Sequence, residues 1–232
     1  MATTPSPAAP LTPQTTLAEL AVAHPAASRV FHQNGLDYCC TGRRPLQEAC
    51  AERGLDAAAI LQAIEAETPA AVDHRRWDRA PLPELIDHLV GFYHRRLREE
   101  LPQLEAMARK VESVHAEKAS CPRGIADHVS AIHAAVLDHL AKEEQVLFPM
   151  LAAGRGRIAG GPIRVMEGEH DDHAENLRRT RELTTNLVPP PEACTTWRAL
   201  YGRLDAFEAE LMEHIHLENN VLFKRALAEL EN

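Results

Sequence analysis

Four long stretches of apolar residues with helical spacing constrain the fold of this chain more than any other feature. In the second stretch the apolar positions advance in threes and fours, as on one face of a helix: Ile125, Val129, Ile132 and Val136. The spacing predicts helices at roughly residues 84–111, 125–151, 163–187 and 197–229, separated by short breaks rich in Pro or Gly. Pro102 is expected to kink or divide the first helix. Connections this short between long helices predict an all-α fold with an up-down four-helix bundle.

Polar residues interrupt these apolar stripes at corresponding points. In the second stripe His139 and Glu143 occupy two successive inward positions, and the stripe resumes at Val146 and Met150. Each of the four helices has a histidine on its inward face, and two of them add a glutamate one turn later. The six inward polar residues are His94, His139, Glu143, His170, His214 and Glu218.

A weak internal repeat relates the two halves of the predicted bundle. The segments "HLAKEEQVLF" at 139–148 and "HIHLENNVLF" at 214–223 share the pattern H-x-x-x-E-x-x-V-L-F, 75 residues apart. His94 and His170, 76 residues apart, are related more loosely on the preceding helices. The bundle is therefore expected to consist of two copies of one helical hairpin.

The inward polar residues predict a metal site. An isolated buried carboxylate costs several kcal/mol, and no Lys or Arg occupies these inward positions to compensate for two of them. Six ligands suit two metal ions, each with two imidazoles and both carboxylates as bridges, which leaves room for a small exogenous ligand. Nitrogen and oxygen donors without thiolate favour non-haem iron over manganese or zinc.

The other histidines are expected to lie at the surface or around the ligands: His88, His128, His133 and His216. His173 is ambiguous because it shares a stripe with His170. Glu169 and His115 are candidates for residues that orient the ligating imidazoles through hydrogen bonds.

Composition excludes several classes of function. The formal net charge of −9, without a long basic block, argues against a nucleic-acid partner. No apolar run approaches the ~18 residues of a membrane-spanning helix. Residues 1–15 lack the features of a secretory signal and are expected to be a disordered lead-in. Five cysteines, an odd number without the spacing of a disulfide framework, favour a reducing cytoplasm.

A small helical module is expected at residues 16–70, before a polar linker at 71–80 and the bundle at 81–232. A helical pattern ends at Gly35, and a second short helix is expected between Pro45 and Gly54. The segment "LDAAAILQAIEAE" predicts another helix after Gly54.

Cys39 and Cys40 are adjacent in the loop of this module. Arg43, Arg44 and the following helix N-terminus would favour the thiolate form, and a disulfide between adjacent cysteines would be strained. Two interpretations remain: a redox or metal-transfer site, or two small half-buried residues that pack a small domain. The other cysteines, Cys50, Cys121 and Cys194, are expected to be structural.

Several motifs together resemble a known family. The chain is similar to the hemerythrin-like domain and, over residues 16–230, to the di-iron "repair of iron centres" proteins with an ScdA-type N-terminal Cys-Cys domain. The resemblance rests on "DYCC", "VHAEK", "HLAKEEQVLFPM", "VMEGEHDDH", "PPPEACTTW" and "HIHLENNVLF". It implies two non-haem irons with an oxo or hydroxo bridge, four histidine ligands (His94, His139, His170 and His214), bridging carboxylates from Glu143 and Glu218, and a functional role for Cys39 and Cys40.

Three functions are compatible with these residues. The resemblance implies repair of iron–sulfur clusters after oxidative or nitrosative stress, with damaged or apo iron–sulfur proteins as partners and iron donation favoured over enzymatic turnover. The alternatives are a di-iron enzyme that binds or reduces nitric oxide, and an oxygen carrier or sensor. The sequence leaves the oligomeric state open, and a homodimer is compatible with it.

Overall fold

A computed structural model describes residues 11–67 and 76–228 of the chain. All regular secondary structure in these residues is helical, and a single antiparallel bridge joins Thr16 to Pro45. The all-α prediction is confirmed. Within the described part of the chain no helix is both long enough and apolar enough to cross a membrane.

Four short helices form the N-terminal part: α1 (Leu17–Ala23), α2 (Ala26–Gln33), α3 (Leu46–Glu52) and α4 (Ala57–Glu67). Thr16 and Glu19 begin α1 with a reciprocal capping box. The helical pattern that precedes Gly35 is divided in two, because Pro25 stands between α1 and α2. Gly35 has a φ of +65° just beyond α2, as expected for a helix end.

Residues 11–15 differ from the disordered lead-in that the sequence predicts. The carbonyl of Thr15 accepts a hydrogen bond from the Leu46 amide at 3.0 Å, and that of Pro13 accepts one from the Gln47 amide at 2.8 Å. These bonds order the segment against the start of α3, and Thr15 is only 7 % exposed. The rest of the predicted lead-in, residues 1–10, and residues 71–75 of the predicted linker lie outside the described residues.

Four long helices follow, as predicted. Helix α5 covers residues 82–114, α6 covers 125–152, α7 is Gly160–Leu183 and α8 covers 195–228. Helix α5 continues through Pro102 without being divided. A short 3-10 turn, Gly156–Ile158, precedes α7.

The chain divides into two compact units, and α8 contributes to both. Of the described residues, 11–67, 76–81 and 215–224 form the first unit, and 82–214 and 225–228 form the second. The core of the first unit contains large buried side chains, among them Leu20, Phe31, Leu46 and Ile64. Within this unit, segment 215–224 contacts the loop between α2 and α3 through Asn219 and Asn220.

In the second unit each long helix is linked to the next by an ion pair, and α8 is linked back to α5. The pairs are Glu105–His133 at 2.8 Å, Lys142–Glu169 at 2.6 Å, Arg181–Glu208 at 2.8 Å and Arg203–Glu100 at 2.6 Å. This closed order of neighbours, with short connections, is the predicted up-down four-helix bundle.

Three of the long helices contain a π-helical segment: Leu89–His94 in α5, Glu143–Leu147 in α6 and Leu217–Leu222 in α8. A π turn contains one residue more than an α turn, so it rotates the following side chains around the helix axis. The prediction that Val146 faces the core is therefore wrong. Val146 is 51 % exposed, whereas Leu147 is 1 % exposed and occupies the core position.

Candidate metal centre

All six side chains predicted as ligands are buried. His139 is 2 % exposed, and the other five are 0 % exposed. They come from all four long helices of the bundle, at the level of the three π segments. Burial of so many titratable groups at one level of a core requires compensation by hydrogen bonds or by a bound cation.

The four imidazoles form two pairs. His94 Nε2 lies 3.1 Å from His214 Nε2, and His139 Nε2 lies 3.1 Å from His170 Nε2. Two ring nitrogens at this distance need either a proton or a cation between them, because two lone pairs repel each other. Each pair thus offers two convergent nitrogen ligands.

Glu143 lies between the two pairs. Its Oε2 atom is 3.5 Å from the Nε2 atoms of both His94 and His139. A carboxylate oxygen placed at the same distance from one imidazole of each pair is suited to bridge two metal ions.

Glu218 follows His214 by four residues and lies in the π segment of α8. Two groups of four ligand atoms lie within 4.8 Å of one another: His94, Glu143, His214 and Glu218 in one, and His139, Glu143, His170 and Glu218 in the other. Both carboxylates belong to both groups. The donor set of each group is two imidazole nitrogens and two carboxylate oxygens, which fits non-haem iron.

Two further carboxylates orient the imidazoles. His94 Nδ1 donates to Glu144 at 2.8 Å, and His139 Nδ1 donates to Glu169 at 2.9 Å. Because an ionised carboxylate only accepts hydrogen bonds, the proton resides on Nδ1 and the Nε2 lone pair points into the cluster. The sequence predicted Glu169 for this role and missed Glu144, for which the doublet Glu143-Glu144 was the available signal.

Both orienting carboxylates are paired with cations. Arg98 donates to Glu144 at 2.8 Å, and Lys142 donates to Glu169 at 2.6 Å. Burial raises the pKa of Glu144, but its hydrogen bonds with Arg98 and His94 outweigh this effect, so the pKa lies below its usual value. Glu144 is therefore ionised at neutral pH and can hold the His94 tautomer.

Each π segment contains one of the predicted ligands: His94, Glu143 or Glu218. Insertion of one residue at these points changes the direction of the side chain relative to a regular helix, and such turns recur at functional sites. Helix α7, which provides His170, is regular throughout.

The remaining histidines lie elsewhere. His173 is buried, with its ring 5.0 Å from that of His139, and belongs to neither group of four. His133 donates to Glu105, and His128 is 3.0 Å from the carbonyl of Asn176.

His216 is buried and does not lie at the surface. Burial lowers the pKa of His216 to about 3, and Nδ1 accepts a hydrogen bond from Asn220 at 3.1 Å. His115, the other residue predicted to orient an imidazole, contacts Cys194 through Nε2 and Trp197 through its ring.

The cysteine pair has a different environment from the one that the sequence indicates. Cys39 is buried, its Sγ lies 3.7 Å from that of Cys40, and the thiol donates to Asp37 at 3.3 Å. The Cys40 contact, burial and Asp37 raise the pKa of Cys39 well above its usual value, so the expectation of a favoured thiolate is wrong for this residue. Arg44 is bonded to Glu52 instead. The Asp37, Cys39 and Cys40 ligand atoms nevertheless lie within 4.8 Å of one another.

Comparisons with known proteins identify the family to which the chain is similar. Residues 85–226 match the hemerythrin HHE cation binding domain, and residues 13–68 match ScdA_N, a domain of unknown function. The chain is 49 % identical over 215 residues to an iron–sulfur cluster repair protein YtfE of Citrobacter koseri, covering 91 % of this chain and 96 % of that protein. Equally named proteins of Musicola paradisiaca and Escherichia coli are 49 % and 47 % identical, each over 91 % of this chain and at least 95 % of theirs.

Proposed function

The chain belongs to the YtfE family of iron–sulfur cluster repair proteins, and we propose that it repairs damaged clusters by donating iron from a site with two iron ions. The observation that carries this proposal is the position of Glu143. One of its oxygens lies 3.5 Å from His94 Nε2 in one imidazole pair and 3.5 Å from His139 Nε2 in the other. If each imidazole pair holds a metal ion, this carboxylate can bind both ions and bridge them.

The number of ligand atoms at each position supports release of iron as well as its binding. Two imidazoles and two shared carboxylates supply four donors to each ion, fewer than the six that octahedral iron accepts. Iron bound here would therefore retain exchangeable positions at which an acceptor can attach. Glu144 and Glu169 keep the Nδ1 protons in place, so the imidazoles bind through Nε2 without rearranging.

Cys39, Cys40 and Asp37 are the proposed transfer site. Their two sulfurs and one carboxylate oxygen lie within 4.8 Å of one another, and thiolates are the ligands that iron has in iron–sulfur clusters. Metal binding would displace the thiol proton of Cys39, which burial and its neighbours otherwise retain. The competing interpretation remains that the pair only packs the small domain.

The partners that follow are apo or damaged iron–sulfur proteins. We place the protein in the cytoplasm, since its five cysteines are odd in number and lack the spacing of a disulfide framework.

Reconstitution of a cluster enzyme tests the proposal. An iron-loaded sample should restore activity to an enzyme that has lost iron from its cluster, with a sulfide source supplied. Metal-free and zinc-loaded samples serve as controls, and equal restoration by the metal-free sample would rule out donation. Catalytic formation of nitrous oxide, or a stable reversible oxygen adduct, would instead favour the two alternative functions.

A variant series separates the metal centre from the thiol pair. Cys39→Ser with Cys40→Ser should leave two irons bound and slow their delivery to the acceptor. Cys50→Ser is the matched control, because Cys50 is a buried cysteine of the same unit. If the double variant delivers iron at an unchanged rate, the cysteine pair only packs the small domain.

A further inference from the structure

A cysteine and a histidine form a pair that the metal centre does not use. His115 Nε2 lies 3.2 Å from Cys194 Sγ, within the second unit of the chain. His115 caps the C-terminal end of α5, and Cys194 directly precedes α8. Neither residue belongs to the candidate metal groups of the described residues. Both lie in motifs of the family resemblance, "VHAEK" and "PPPEACTTW", that the di-iron site leaves unexplained.

The imidazole of this pair is held in a fixed position. His115 is 8 % exposed, and its ring centroid lies 4.9 Å from that of the buried Trp197. Trp197 is in the first turn of α8, so the same helix end positions both the thiol and the ring that supports the base. A nucleophile, a base within hydrogen-bond reach and a third group that orients the base are the parts of an activated thiol.

The thiol is accessible, and two cationic side chains bond to the carbonyls of residues that precede it. Cys194 is exposed, and its carbonyl accepts the Arg198 amide at 3.0 Å, which places the thiol at the positive end of a long helix. The Arg198 guanidinium donates to the carbonyl of Pro191 at 3.0 Å, and Lys118 donates to that of Glu192 at 3.1 Å. The nearby Glu192 carboxylate is itself bonded to Ser120.

The other four cysteines are not exposed as Cys194 is. Cys39, Cys50 and Cys121 are buried, and Cys40 is half-buried. Burial raises the pKa values of Cys50 and Cys121, which disfavours their reactive thiolate forms. The expectation that Cys194 is structural therefore does not agree with its exposure or with its contact to His115.

We propose that Cys194 is a peroxide-reactive thiol for which His115 acts as the base. The thiol proton moves to His115 Nε2, and the sulfur attacks one oxygen of hydrogen peroxide. An S–O bond forms as the O–O bond breaks, and the departing hydroxide takes the proton from the imidazolium to give water. The sulfur is oxidised by two electrons to a sulfenic acid, and the peroxide is reduced.

Trapping of the sulfenic acid tests this proposal. The full chain is exposed to hydrogen peroxide in the presence of dimedone, and labelled peptides are quantified by mass spectrometry. Cys194 should be labelled at least about tenfold faster than Cys40, with the label lost in Cys194→Ser. Labelling of Cys194 no faster than Cys40 would overturn the proposal.

A second set of variants tests the part played by the base. His115→Gln should slow both dimedone labelling and alkylation by iodoacetamide at Cys194, and Trp197→Phe should slow them less. His133→Gln is the control, because His133 is a half-buried histidine that contacts Glu105 at the α5–α6 interface. Circular dichroism verifies that each variant is folded. An unchanged Cys194 alkylation rate in folded His115→Gln would refute the role of the imidazole.

Discussion

Glu144 accepts a hydrogen bond from His94 Nδ1 at 2.8 Å and thereby links α6 to the proposed metal ligand of α5. Outer carboxylates of this kind typically contribute about 10- to 100-fold to metal affinity. Glu144→Leu should therefore lower iron retention against a competing chelator by a factor in this range, and Glu144→Gln by less, because an amide oxygen still accepts the hydrogen bond. Glu99→Gln, at an exposed position of α5, is the control. Equal retention by all four proteins would contradict an orienting role for Glu144.

Removal of the shared carboxylate should have a larger effect than removal of an orienting one. Glu143 contacts both imidazole pairs, so Glu143→Ala should lower the iron content below the expected two ions per chain and abolish the coupling between the irons. Metal analysis gives the stoichiometry, and Mössbauer spectroscopy detects the coupling. Wild-type iron content and coupling in Glu143→Ala would reject the bridging role.

The consecutive residues Val146 and Leu147 provide a test of the π segment. Leu147→Ala should lower the free energy of unfolding by about 2–5 kcal/mol, because it leaves a cavity in the core. Val146→Ala, at an exposed position, should change it by less than about 0.5 kcal/mol. Urea unfolding of the metal-free protein measures both values. The reverse order would restore the regular helical stripe and contradict the π register.

These two residues also illustrate what the sequence can predict. The periodicity predicted four helices and, up to each ligand, the inward positions of His94, His139 and their partners. It could not predict a register change at Glu143, because a periodic pattern assumes one regular helix and a π turn adds a residue to it. Contacts such as His115 with Cys194, 79 residues apart, leave no periodic signal, and the high pKa of Cys39 depends on the three-dimensional position of Asp37.

Asn220 should control access to the cysteine pair. Its side chain donates to the carbonyls of Tyr38 and Cys39, both at 3.2 Å, and Asn219 donates to the Cys39 carbonyl at the same distance. Asn220→Ala removes two of these three bonds and should increase the alkylation rate of Cys39 several-fold. Asn34→Ala is the matched control, since Asn34 donates to the Val30 carbonyl of its own helix. Equal Cys39 alkylation rates in Asn220→Ala and wild type would show that the loop is held by other contacts.

Glu105 should make the α5–α6 interface sensitive to acid. Hydrogen bonds with His133, Arg109 and Ser130 lower the pKa of Glu105 from its usual 4.5 to about 2. Because the folded-state pKa is lowered, the stabilisation by this carboxylate is fully present above about pH 4.5 and is lost as the pH falls toward 2. Thermal unfolding of metal-free wild type and Glu105→Gln should therefore show a difference in Tm at pH 6 that diminishes between pH 4.5 and 2.5. A difference in Tm that stays constant over this range would mean that Glu105 acts through packing alone.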